Sequence, residues 1–242
     1  MKKILISGGN GDFAKEIKKH NTKYEIISPP KEEMDVTDTE SLDYTIFSTQ
    51  PDYFIHAGAL TRPMVIHENN PDKSIKNNII GTSNVVLACM KHKVKLIYTS
   101  TDYIYPGVDG NYSEESAIKP FTKYGWSKLG GECAVKMYDN HLILRVSMNK
   151  KPFPHPKALK DMRKSLMYIE DAAKVTLKLL NQNGIINVGG KSQSVYDFVK
   201  NENSDIEPIY LKDISDVNMA TDCSMDTTKM KKVIDDSTVS HK

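Results

Sequence analysis

The sequence predicts an α/β fold: a Rossmann-like, doubly wound parallel sheet with a small C-terminal lobe. Three observations carry this. Unbroken apolar runs of strand length alternate with helix-length stretches five times between Lys3 and Val146, the rhythm of βαβ units whose strands are covered on both faces. A glycine turn joins the first run to the first helix. From Asn149 the texture changes, with Pro152, Pro154 and Pro156 in one irregular stretch. Residues 1–148 are therefore expected to form the main domain, and residues 149–242 a small lobe interleaved with its sheet.

Each element has a local reason. Residues 3–7 are apolar without alternation, as in a strand buried on both faces. Gly8-Gly9-Asn10-Gly11-Asp12-Phe13-Ala14 follows, and a helix begins with Phe13, Ala14 and Ile17 turned inward. The spacing G-x-x-G-x-x-A at Gly8, Gly11 and Ala14 suits a dinucleotide. It gives a tight turn, a close backbone approach to a pyrophosphate and a small residue where helix meets strand. Residues 24–28 read as the second strand. Where an acidic residue for the adenosine ribose often stands, the chain has Ser28-Pro29-Pro30-Lys31. A lysine there leaves room for a 2′-phosphate, so NADPH and NADH both stay open. Asp35-Val36-Thr37-Asp38 leads into a helix over 39–48, with Thr37 or Asp38 as its N-cap.

Residues 51–59 form the third strand and run out into Ala57, Gly58 and Ala59, small enough for a ligand to lie against the backbone. His56 reads as a packed strand residue, and Thr61-Arg62-Pro63 lies in the loop beyond. A helix over 71–91 contains Asn78 and Gly81. Both residue types cost stability inside a helix, which points to a special contact or a close helix crossing. Residues 94–99 are the fourth strand. It empties into Ser100-Thr101-Asp102-Tyr103, whose hydroxyls are placed to bond a carbonyl oxygen. A helix over 124–138 and a strand over 141–146, with Arg145 near its end, complete the main domain. In the lobe, 166–169 read as a short strand, 170–180 as a helix and 184–188 as a strand. Ser194 with Asp197 opens a helix in a capping-box-like pattern. A last helix begins near Asp226, and the tail from Asp235 to Lys242 reads as loose.

The chemistry centres on Tyr124-Gly125-Trp126-Ser127-Lys128. Tyr124 and Lys128 stand one helical turn apart on one face. A phenol normally titrates near ~10, and bringing it to ~7 takes about 4 kcal/mol of differential stabilisation, which a close cation in a dry site can supply. Composition narrows the rest. Thirty-three basic residues against 31 acidic ones leave a net charge of +2, which does not argue for nucleic acid. Cys89, Cys133 and Cys223 are widely spaced, as in a reduced, cytoplasmic setting. No apolar run approaches the ~20 residues of a membrane span, and no His/Cys cluster suggests a metal. The apolar faces of 71–91 and 121–138 could pair two subunits in a homodimer, or could simply be core.

Taken in order, these motifs resemble the extended short-chain dehydrogenase/reductases. They are Gly8-x-x-Gly11-x-x-Ala14, Asp35-Val36-Thr37-Asp38, His56-Ala57-Gly58-Ala59-Leu60-Thr61, Asn78-x-x-Gly81-Thr82, Ser100-Thr101-Asp102-Tyr103-Ile104-Tyr105, Tyr124-x-x-x-Lys128 and Leu144-Arg145. Within that superfamily the chain is most similar to the dTDP-4-dehydrorhamnose reductase group, over residues 1–199. The resemblance implies a nicotinamide-dependent reduction of a 4-keto-6-deoxy nucleotide sugar. Thr101 would hold the keto oxygen, Tyr124 would protonate it, and Lys128 would bind the nicotinamide ribose and depress the Tyr124 pKa. Gly8, Asn10, Gly11, Asp12 and Phe13 would cradle the pyrophosphate, with Asp35 and Val36 beside the adenine. Ala57, Gly58 and Ala59 would line the cofactor, with Asn78 also on the cofactor side and Thr99 under the nicotinamide. Asp102, Tyr103 and Arg145 would face the sugar nucleotide, with Thr61 and Arg62 near its diphosphate or sugar. The chain departs from the group at Ser147-Met148-Asn149, where an aromatic is usual, and at Arg62-Pro63. Two other functions share these residues: an epimerase or dehydratase that recycles NAD⁺, and a non-catalytic subunit that uses the fold to bind a partner enzyme.

Overall fold

The computed structural model describes residues 1–214 and 218–239. Six strands form one parallel sheet: β1 (Lys3–Ser7), β2 (Glu25–Ile27), β3 (Tyr53–His56), β4 (Lys95–Thr101), β5 (His141–Val146) and β6 (Gly184–Val188), in the order β6-β5-β4-β3-β1-β2. Order runs one way from β1 to β2 and the other way from β3 to β6. The reversal leaves a crevice at the carboxyl ends of β1 and β3, where sheets of this kind take ligands. The sequence reading assigned β6 to the late segment; in space it pairs with β5 over its whole length.

The continuous apolar runs have the expected cause. Ile4 and Ile6 pack with Phe13, Ala14 and Ile17 of helix α1 (Asp12–His20), whereas Leu5 points to the opposite layer, against Leu42 and Ile46 of helix α2 (Thr39–Thr49). All three strand residues are fully enclosed. Each such side chain contributes about 1.5–3 kcal/mol relative to exposure. Asp38 caps α2, accepting from the Glu40 and Ser41 N–H groups at 3.0 and 3.2 Å, so of the two candidate caps the carboxylate takes the position.

The long helix expected over 71–91 is not uniform. Pro71–Ser74 is a short α turn, Ile75–Ile80 is a π turn, and α3 (Gly81–His92) follows. The wider turn falls on the stretch that contains Asn78, as such bulges often do where a side chain has a task. Helix α4 (Lys123–Val135) starts at Thr122, whose hydroxyl accepts from the Gly125 N–H at 3.0 Å. A Cβ at Gly125 would lie 2.4 Å from the Tyr103 carbonyl oxygen, so only glycine lets α4 start against the loop after β4.

Beyond β5 come α5 (Ile169–Leu179), α6 (Val195–Lys200) and α7 (Thr228–Val239). The strand expected over 166–169 narrows to Met167–Tyr168, paired with Met148–Asn149. Arg163–Lys164 pairs with Gln193–Ser194, and Lys157–Leu159 with Glu207–Ile209. A separate apolar cluster that includes Leu159, Met162, Leu166, Val195, Val199 and Cys223 holds this lobe together. The tail expected to be loose from Asp235 is instead helical to Val239, and residues 240–242 lie outside the described residues. Among the described residues no helix is long and apolar enough to cross a membrane.

Candidate active site

The carboxyl ends of β1, β3 and β4 open onto one edge. Gly8 has φ +74° and is exposed, and a Cβ there would lie 2.9 Å from the Gly58 Cα. The first glycine of the turn thus lets β1 and β3 approach at the crevice, and a side chain would both strain the backbone and part the strands. Asn10 and Gly11 are exposed and Asp12 half-buried at the start of α1, while the Phe13 side chain lies in the core. Only the backbone of Phe13 can therefore serve a pyrophosphate. Ala57, Gly58 and Ala59 are half-buried along the same edge, and Thr61 and Arg62 are exposed beyond them.

Beneath this edge the polar groups are tied together. Ser7 Oγ lies 2.7 Å from His56 Nδ1 and accepts from the Gly58 N–H at 3.0 Å. His56 Nε2 lies 3.0 Å from Thr82 Oγ1, and burial pushes the imidazole down to about 3, so it is a neutral packing residue. Thr99 donates to the His56 carbonyl oxygen at 3.0 Å. Asp35 accepts from the N–H and hydroxyl of Thr37 at 2.9 and 2.8 Å and lies 3.5 Å from Lys31. Burial opposes its charge, but these bonds and the lysine win and hold the carboxyl below its usual range.

Asn78, expected on the cofactor side, spends its amide inside the protein. It donates to the Leu60 carbonyl at 2.9 Å and to Ser127 Oγ at 2.8 Å, and accepts from the Leu60 N–H at 2.8 Å. Ser127 in turn donates to the Tyr124 carbonyl at 2.8 Å. The π turn therefore ties the loop after β3 to the helix that carries the tyrosine, which gives the costly asparagine its reason.

Tyr124 is half-buried. Its ring meets those of His67, at 5.0 Å between centroids, and Tyr103, at 6.0 Å, and the Thr101 hydroxyl is near enough to its phenol to act on it. Lys128 is buried, with its ammonium 4.2 Å from the centre of the Tyr98 ring. Among the described residues the ammonium makes no hydrogen bond or ion pair. The expectation that Lys128 depresses the Tyr124 pKa is not met. Burial pushes the phenol up to about 12 against the Thr101 hydroxyl, which lowers it, and burial brings Lys128 itself down to about 7, with Glu132 raising it in part. Desolvation outweighs attraction because the lysine's charge is set against the Tyr98 ring and Glu132.

Two residues expected to face a sugar are committed elsewhere. Arg145 is fully enclosed. It donates from Nε and Nη2 to the two Glu132 carboxylate oxygens at 3.2 and 2.9 Å, and from Nη1 to Tyr105 Oη and the Glu114 carbonyl. Four of its five N–H groups are thus spent inside the protein, and the enclosed side chain is out of a substrate's reach. Asp102 is also enclosed: Oδ2 lies 2.9 Å from Lys164 Nζ and accepts from Ser147 Oγ at 2.7 Å, and Oδ1 accepts from Thr101 Oγ1 at 3.2 Å. Tyr103 stays half-buried beside Tyr124. Sequence reasoning missed His67, Glu132, Ser147 and Lys164. None has a local signature; tertiary pairing alone singles them out. Glu16, His20 and Glu170 also meet, at the surface, but Lys19 and Lys174 already hold the two carboxylates.

Residues 1–149 match the family described as the RmlD substrate binding domain. The chain belongs to that family. Curated relatives of this RmlD-domain chain include methionine adenosyltransferase 2 subunit beta of Bos taurus, 30% identical over 157 residues (60% of this chain, 46% of the relative). A dTDP-4-dehydrorhamnose reductase of Aggregatibacter actinomycetemcomitans is 29% identical over 152 residues, covering 61% of this chain and 51% of the relative. The chain thus spans about half the length of the curated relatives it matches. Among solved structures, a dTDP-4-dehydrorhamnose reductase of Bacillus anthracis in complex with NADP superposes with a TM-score of 0.87 at 24% identity, over 96% of this chain and 92% of that one. The Bordetella bronchiseptica enzyme WbmG in complex with NAD superposes at 0.76 and 21%, over 95% and 86%. The Rossmann-like α/β fold of the RmlD-domain chain is therefore shared with these proteins.

Proposed function

We propose that the chain is an NAD(P)H-dependent reductase of a 4-keto-6-deoxy nucleotide sugar. The observation that carries this reading is the Tyr124 phenol set beside Thr101 at the strand-four edge, one helical turn from an ammonium that rests on the Tyr98 ring and makes no hydrogen bond or ion pair among the described residues. A dinucleotide fits the edge. Gly8 and Gly11 let the backbone of the turn come close, the start of α1 supplies N–H groups, and the Ser28 hydroxyl just past β2 is buried and has no partner among the described residues. When bound, the nicotinamide supplies hydride to the carbonyl carbon. Lys128 holds the ribose, Thr101 and Tyr124 bond the keto oxygen, and Tyr124 delivers the proton that completes the alcohol. Thr61, Arg62 and Tyr103 border the sugar nucleotide, and residues 149–242 close the substrate side as a lobe. The same reading takes a homodimer through the helices that leave Ile75, Ile80 and Trp126 about half exposed.

The test is loss of NADPH or NADH absorbance with a panel of 4-keto-6-deoxy nucleotide sugars. Turnover by the parent and a loss of about 10²–10⁴-fold in Tyr124→Phe are expected. Full turnover in that variant refutes the tyrosine's role. A second reading has its own support, the likeness to a protein named as an adenosyltransferase subunit. There the chain binds an enzyme and turns nothing over, and stable co-elution with such an enzyme without any sugar reduction favours it.

A further inference from the structure

We infer that Lys164, contributed by the lobe, is a positioning residue that acts through Asp102 on Thr101 and Tyr124. The inference rests on the reductase reading for its functional meaning, but not for its geometry. Lys164 Nζ lies 2.9 Å from Asp102 Oδ2 and 4.2 Å from the centre of the Tyr103 ring, with its side chain only 10% exposed. Ser147 Oγ donates to the same carboxylate oxygen. Asp102 Oδ1 accepts from Thr101 Oγ1. A hydroxyl has one proton and two lone pairs. While Thr101 gives its proton to Asp102 it accepts from the Tyr103 N–H at 3.3 Å and has a lone pair left on the side of the Tyr124 phenol; with a keto oxygen bound, Thr101 and Tyr124 turn their O–H groups to it. In the free protein the order of groups therefore runs from the Tyr124 phenol past Thr101 to Asp102, with Lys164 at its far end.

This arrangement addresses a difficulty in the reaction. A proton leaving Tyr124 leaves a phenolate with only Thr101 between it and a buried carboxylate, and like charges at that range oppose one another. Lys164 supplies the compensating charge. Among the described residues, the other titratable groups that face Asp102 are Tyr103 and Cys223; burial pushes both up, so both stay uncharged at neutral pH. Lys164 and Ser147 also keep Asp102 satisfied if Thr101 turns its O–H toward the phenolate. Because Lys164 belongs to the Arg163–Lys164 strand, docking of the lobe and readiness of the acid are one event.

The test uses the full chain labelled with ¹³C-tyrosine. The resonance of the Tyr124 ring carbon that bears the hydroxyl is assigned by its loss in Tyr124→Phe and followed through the alkaline range in which the fold persists. Asp102→Asn leaves the cation and should move the Tyr124 midpoint down by about one unit. Lys164→Met leaves the carboxylate and should move it up by a similar amount. Lys164→Arg should keep the parental midpoint. A group that only supports the fold gives no such opposed pair. If Lys164→Met does not fold, Asp102→Asn against the parent still decides: an unchanged or higher midpoint overturns the inference. In turnover, Lys164→Met should lose about tenfold in kcat with its alkaline limb displaced upward. Opposed midpoints without sugar reduction by the parent would leave the inference standing and remove the reductase reading. Sugar reduction with unmoved midpoints would do the reverse.

Discussion

The Lys128 ammonium sits over the Tyr98 ring, and the Tyr98 hydroxyl donates back to the Lys128 carbonyl oxygen at 3.2 Å. One aromatic residue of β4 thus holds both ends of the lysine. Tyr98→Leu keeps bulk but removes the π face and the donor. It is expected to weaken NADPH binding several-fold, while Tyr98→Phe keeps the π face and most of the affinity. Fluorescence titration with NADPH separates the two, and equal affinities would remove the ring from the account.

Lys128 gives a prediction with a definite sign. Its pKa falls from 10.5 to about 7 on folding. Below pH 7 the lysine is charged in both states, and the folded state bears the cost of burying the charge. Between about 7 and 10.5 the folded chain releases its proton first and the cost is relieved. The parent should therefore gain on Lys128→Met across that window, by at most about 1.4 kcal/mol per unit. Tm against pH for both proteins reads this directly. Parallel curves would mean the ammonium is not penalised.

Arg145 and Glu132 form a fully enclosed bidentate pair, so removing one partner leaves a buried charge. Arg145→Met and Glu132→Gln are each expected to cost about 3–5 kcal/mol in urea unfolding, and the double replacement to cost much less than their sum. Additive costs would contradict the pairing.

Asn78 should behave as a tie rather than a ligand. Asn78→Ala removes three hydrogen bonds and leaves the Leu60 N–H and carbonyl in want of partners, at about 1–3 kcal/mol each if they stay buried. Asn78→Asp keeps the acceptor and loses the donor. A graded loss of stability, parent above Asp above Ala, is expected at neutral pH.

In the proposed reductase, Lys31 is the residue placed to read a 2′-phosphate. Lys31→Ala should raise KM for NADPH roughly fivefold, about 1 kcal/mol for one exposed phosphate contact, and leave KM for NADH unchanged. A matched rise for both would show that the lysine does not read the 2′-phosphate.

What could be read in the chain beforehand was what depends on near neighbours. β1 and β5 fall on the expected residues because continuous apolar runs have few alternatives, and the Asp38 cap and the Ser194–Asp197 turn are local hydrogen-bond patterns. The breaks in the long helix could be sensed from Asn78 and Gly81, but not their form, because the partners at Leu60 and Ser127 lie far along the chain. For Arg145 the expected contact with a sugar nucleotide comes from the resemblance alone. Its actual partner is one of many glutamates, distinguished only by the packing of α4 on β5. Lys164 lay in a stretch without periodicity, and its pairing with Asp102 exists only once the lobe folds back.

Strand β6 closes the sheet after most of the chain has been laid down. A protein ended at residue 149, where the family match stops, would present the hydrogen-bonding groups of β5 unpaired to its surroundings. During synthesis the nascent chain carries that open rim until residues 184–188 emerge, and any slow step between them lengthens its exposure to other chains. The matched segment is thus not expected to fold alone, and dissecting this protein at that border should yield inclusion bodies rather than a smaller working piece.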